Sequence, residues 1–114
     1  MTGLPTTHDD TIIEVRVNCP DEATAAVIAD RIVGERLAAA ANIHAPISSC
    51  YHWKGRIERA SEVPLLLKTR RSLFEALATR ITELHPYETT GILGVEVTLV
   101  NEAYRTWAID ETDG

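Results

Sequence analysis

Residues 40–69, AANIHAPISSCYHWKGRIERASEVPLLLKT, form a long apolar stretch with a turn signal at Lys54-Gly55. Read as two strands, it makes a hairpin with arms of roughly 13 residues, each spanning ~43 Å at about 3.3 Å per residue. A domain of this length has a radius of gyration near ~13 Å, so it is roughly 34 Å across. The hairpin is too long for its own domain. Its ends must bend or bury themselves against another chain, because a long exposed apolar edge invites aggregation. The first expectation is therefore an obligate oligomer.

The flanking segments supply the rest of the fold. Upstream, Ile12 to Asn18 alternates, with Ile13, Val15 and Val17 on one side, as a half-buried strand does. Pro20, Asp21 and Glu22 then open a helix whose apolar stripe is Ile28, Ala29, Ile32 and Val33, ending near Arg36. Pro46 and Pro64 mark bulges or edge positions within the hairpin. Downstream, Ser72-Leu73-Phe74-Glu75 reads as a capping box. Phe74, Leu77, Ile81 and Leu84 follow at helical spacing, and the helix stops at His85-Pro86. Ile92 to Val100 alternates again, with Leu93, Val95, Val97 and Leu99 on one face, and Asn101 caps a short last helix through Ile109. The order is β-α-β-β-α-β plus a C-terminal helix. The expected fold class is α+β, a ferredoxin-like sandwich with a long β-hairpin and a short C-terminal helix. The expected organisation is a disordered tail over 1–10, one domain over 11–110 and a C-terminal tail over 111–114.

Composition narrows the function. The chain has 114 residues, 45% of them hydrophobic and 25% charged, which suits one globular domain. Its net charge of −6 argues against nonspecific binding to nucleic acid or to anionic membranes. The basic cluster Lys68, Arg70 and Arg71 reads as a solvated rim. No apolar run reaches the ~18 residues of a membrane helix, and the N-terminus lacks a secretory pattern. With two cysteines, Cys19 and Cys50, and no motif between them, a cytoplasmic chain with reduced thiols is expected. Nucleophile elbows, phosphate loops, His-Glu-x-x-His and Cys-x-x-Cys are absent, so no enzyme is expected.

Five collinear segments carry a resemblance. They are Gly34-Glu35-Arg36-Leu37-Ala38-Ala39, Tyr51-His52-Trp53-Lys54-Gly55-Arg56-Ile57-Glu58, Ser61-Glu62-Val63, Leu67-Lys68-Thr69 and Glu83-Leu84-His85-Pro86-Tyr87-Glu88. Together they resemble the CutA family of divalent-cation tolerance proteins over roughly residues 12–109. The resemblance implies a ferredoxin-like homotrimer tied together by long hairpin strands, with a role in tolerance of copper or other divalent metals. It also implies a cleft at the subunit boundary. Two departures stand out: Ala40 occupies the place of a common family cysteine, and Thr89-Thr90-Gly91 replaces a proline and a glutamate after the tyrosine-glutamate pair. Alanine cannot ligate a metal.

The site residues follow from chemistry and resemblance together. His85 is the candidate metal ligand, since imidazole suits Cu(II) and Zn(II); a histidine there also reads as a helix C-terminal cap. His44, Cys50 and His52 share parity on an unbroken strand, and a Pro46 bulge would flip His44. Cys19 stands at a helix start, where the dipole could lower its pKa, or it is simply a small junction residue. Trp53, Lys68, Tyr87, Glu88 and Trp107 form the candidate ligand pocket, with Tyr104 nearby in sequence; the same aromatics would equally cement an interface. Glu58 and Glu62 read as solvent-facing or paired with Arg56 and Arg59. The main reading is a trimeric divalent-cation tolerance protein that binds Cu(II) or another divalent cation weakly, without needing it to fold. The alternatives are a PII-like small-ligand signalling trimer, by analogy of fold, and a structural trimer that docks a partner protein.

Overall fold

The computed structural model describes residues 10–112. The proposed N-terminal tail therefore lies outside the described residues apart from Asp10. Strand β1 (Ile12–Cys19) runs through the middle of an antiparallel sheet. It pairs on one side with β4 (Arg56–Arg70) and on the other with β5 (Ile92–Glu96). Beyond β4 lie β2 (Ala40–Ile43) and β3 (Ile47–Trp53), both paired with β4 as two halves of one broken strand. Helices α1 (Glu22–Gly34) and α2 (Phe74–Leu84) pack on one face, and α3 (Glu102–Asp110) covers one end. This is the ferredoxin-like α+β arrangement that the element order led us to expect.

The helix-covered face is the core. Alternation along β1 and β4 sends Ile13, Val15, Val17, Val63, Leu65 and Leu67 inward against Ala25, Ile28 and Ile32 of α1 and Leu77 and Ile81 of α2. Val33 belongs to the expected stripe of α1 but is exposed, because the buried stripe starts one turn earlier, at Ala25. Asp21 caps this helix by accepting from the Thr24 N–H at 2.8 Å, a bond that holds its carboxyl below the usual range. At the other end Arg36 adopts φ 62°, and the Leu37 N–H bonds back to the Ile32 carbonyl at 3.0 Å, closing the helix without a glycine at the left-handed position.

Three local expectations are corrected. The capping box does not form: a 3₁₀ turn over Arg71–Leu73 precedes α2, and Ser72 donates its hydroxyl and its N–H to the Asp10 carboxylate at 2.5 and 3.3 Å. A long-range carboxylate outcompetes the local glutamate. The final strand is shorter than its alternation suggests. It ends at Glu96 because β1 begins at Ile12, whose carbonyl takes the last rung from the Val97 N–H at 2.9 Å. Leu93 and Val95 point away from the helices and are exposed, because the Phe74 ring of α2 packs over Gly94. Nor is the C-terminal segment from residue 111 wholly a tail: Thr112 is buried, and its carbonyl accepts from Arg70 Nη2 at 2.9 Å. Residues 113 and 114 lie outside the described residues.

The hairpin behaves as its length requires. Lys54 and Gly55 take φ 50° and 78°, the left-handed pair of a two-residue turn that closes Trp53 against Arg56. Ile43 opposes Leu65 while Ile47 opposes Glu62, so residues 44–46 face residues 63–64 with one extra residue. This bulge at Pro46 flips the parity, placing His44 on the opposite face from Cys50 and His52. The fifteen-residue β4 runs well past the sheet, and the described residues extend 54 × 26 × 25 Å with a radius of gyration of 15.3 Å.

Candidate functional site

Parity along β4 divides the hairpin. Leu65 and Val63 face the helices; Pro64, Glu62, Ala60, Glu58 and Arg56 face the open side. Ser49, Tyr51 and Trp53 of β3 lie opposite Ala60, Glu58 and Arg56 and so share that open side. So do Arg16 and Asn18 of β1 and Leu93 of β5. Of these, Glu62, Ser49, Tyr51, Trp53, Arg16, Asn18 and Leu93, together with Cys50 and His52 of β3 and Tyr87, Thr89 and Gly91 from the segment after α2, line a cleft of about 920 Å³. That volume suits a small molecule.

One network organises the inner wall. Glu62 is only 6% exposed, and its carboxylate accepts from the Tyr87 hydroxyl at 2.7 Å and the Asn18 amide at 3.4 Å. Burial, and then the Glu62 carboxylate, push the Tyr87 phenol well above its ordinary pKa, so it stays a donor. His85 fixes the position of Tyr87. Its Nδ1 accepts from the Tyr87 N–H at 3.2 Å, which leaves Nε2 protonated to donate to the Asn18 carbonyl at 2.8 Å. The two rings meet edge to face at 4.5 Å.

This geometry revises the reading of His85 as a metal ligand. The ring is buried and both nitrogens are engaged by the backbone, so no lone pair is free for a cation. His85 instead orients the cleft. Among the described residues no three His, Cys, Asp or Glu side chains cluster as a metal site. Cys50 and His52 do share a face of β3, and Cys50 is exposed. Cys19 is buried, and its thiol is pushed up to about 11, first by burial and then by the nearby Asp21 and Glu62 charges. Desolvation outweighs the helix dipole, so the reactive-cysteine alternative does not hold.

Of the five expected pocket residues, Trp53 and Tyr87 line the cleft. Glu88 joins them at the hairpin tip, where it pairs with Lys54 at 3.7 Å while Lys54 sits 5.4 Å from the Trp53 ring centroid. Lys68 and Trp107 are elsewhere within one chain. Lys68 bonds to Asn42 at 2.9 Å and pairs with Glu14 at 3.7 Å. It is six residues along β4 from Glu62, ~20 Å away. Trp107 is on α3, 5.5 Å from the Tyr104 ring. Glu62, Asn18, Arg16 and Tyr51 were not foreseen. A glutamate at position 62 of the return strand is expected in solvent or paired with arginine; its parity with Pro64 is the available signal, but its partners come from β1 and from beyond α2.

Known proteins share this frame. The family model described as CutA1 divalent ion tolerance protein matches residues 13–111. The chain belongs to that family. The divalent-cation tolerance protein CutA of Pyrococcus horikoshii is 42% identical over 101 residues, covering 89% of this chain and 98% of that protein. Mouse protein CutA is 40% identical over 97 residues, covering 85% of this chain and 55% of that protein. The chain thus spans about half the length of the mouse relative and of the human one, 54% of which is matched. The solved structure of the periplasmic divalent cation tolerance protein CutA from Archaeoglobus fulgidus superposes with a TM-score of 0.86 at 27% identity, covering 90% of this chain and 99% of that one. Among the described residues, no helix is long and apolar enough to cross a membrane.

Proposed function

We propose that this chain is a binding protein, not an enzyme, that works as a cytoplasmic homotrimer in the response to divalent cations. The observation that carries this reading is the family match, which spans the whole hairpin and all three helices. The trimer is supported by the hairpin itself. Ile43, Ile47 and Ile57 are exposed along it, and among the described residues nothing covers them. Cu(II) contact is weak and belongs to the Cys50–His52 pair on β3, completed by ligands from neighbouring copies, because His85 is committed to the backbone. The test is calorimetric titration of chelator-stripped protein with Cu(II). Saturable heat should persist in His85→Ala and vanish in Cys50→Ser/His52→Ala. Loss in His85→Ala, with the fold intact, would overturn this assignment.

The cleft supports a second reading, a trimer that senses a small ligand. Its volume, its three aromatic walls and its buried carboxylate are features that a purely structural hairpin would not need.

A further inference from the structure

We infer that the cleft recognises a molecule carrying a protonated amine on an aromatic or apolar body, with Glu62 as the counter-charge. The inference rests on the small-ligand reading. Glu62 is buried, yet among the described residues no cation lies within ion-pair range of it; its two partners are neutral donors. A carboxylate withdrawn from water without a positive partner is costly. Two hydrogen bonds also leave about half of its acceptor capacity unused. The nearby cations are committed elsewhere. Arg16 pairs with Glu14 at 3.1 Å and Lys54 with Glu88 at 3.7 Å, while Arg59 sits on the other face of the hairpin.

The walls fit the same ligand class. Tyr51, Trp53 and Tyr87 line the space with Glu62. Aromatic faces beside a carboxylate attract an organic ammonium through the ring quadrupoles and the charge together. An anionic ligand would meet an uncompensated negative charge at the inner wall. A bare metal ion would need several ligands close together, and among the described residues no three His, Cys, Asp or Glu side chains cluster around Glu62.

The test uses Trp107→Phe, which leaves Trp53 as the single remaining tryptophan of the two in the chain. Its fluorescence then reports on the cleft. The probes are tyramine, its neutral analogue tyrosol, and the anionic 3-(4-hydroxyphenyl)propanoate. Tyramine should quench saturably with at least tenfold tighter binding than tyrosol, and the propanoate should bind more weakly than tyrosol. In Glu62→Gln the advantage of tyramine should disappear while tyrosol binding persists. Equal binding of tyramine and tyrosol in the Glu62-containing protein would overturn amine recognition but leave a cleft that takes aromatic bodies. No saturable quenching by any probe would overturn both. If Glu62→Gln fails to fold, the order of the three probes in the Glu62-containing protein decides alone.

Discussion

At the scale of the residue, the molecule turns on Tyr87, Glu62 and His85. Tyr87→Phe removes a donor from a buried carboxylate while keeping the ring, so unfolding free energy should fall by about 1–3 kcal/mol in urea denaturation. An unchanged midpoint would mean that Glu62 is already solvated. The two thiols make a second prediction. Exposed Cys50 should react with Ellman's reagent in the folded protein, and buried Cys19 only after unfolding. The Cys19 thiol stands near 9.0 when unconstrained and at about 11 in the fold. Its folded value is raised, so the stability it contributes is complete below pH 9 and is lost as pH rises from about 9 through 11. Alkaline melts should show that loss, and Cys19→Ala should flatten it. Neither His85 nor Glu62 was legible from sequence in its true role. A histidine before a proline reads as a cap or a ligand, and a glutamate among arginines reads as a surface pair, until β1 and the Tyr87 segment converge on them.

At the scale of the element, the hairpin carries the most information. Its turn needs two left-handed residues, and Lys54-Gly55 places one glycine there. Gly55→Ala forces a second side chain into that region and should cost about 1–2 kcal/mol, read as a shift in the denaturation midpoint at unchanged slope. No shift would mean that the turn relaxes to another type. The Pro46 bulge was legible, since a proline cannot donate to the ladder. The end of β5 was not. Alternation continues to Leu99, but pairing stops where β1 stops, and α2 packs on the Gly94 side through Phe74. Leu93 and Val95 are left on the open face. Similarly, the Ser72–Glu75 pattern lost to Asp10, a residue sixty-two positions from Ser72.

At the scale of the whole molecule, shape speaks for assembly. The described residues, 54 × 26 × 25 Å, project an arm whose isoleucines face water. Ile57 is 65% exposed in the single chain, so Ile57→Lys would change the stability of an isolated subunit little, by about ±0.5 kcal/mol. If the hairpin is the trimer contact, the same change should shift the light-scattering mass from three chains towards one. Retention of the trimer would move the interface to the open face around Leu93 and Val95.

The amino-acid order by itself determined the β-α-β-β-α-β plan, the turn, the bulge, where α2 stops and an arm too long for one domain. These follow from periodicity, proline chemistry and chain length, which act over a few residues. Only the tertiary structure decided which side of β5 meets the helices, which residue caps α2, and which acid closes the cleft. Those outcomes depend on groups brought together from distant parts of the chain: desolvation buries Glu62, and neighbours from β1 and the segment after α2 supply its hydrogen bonds.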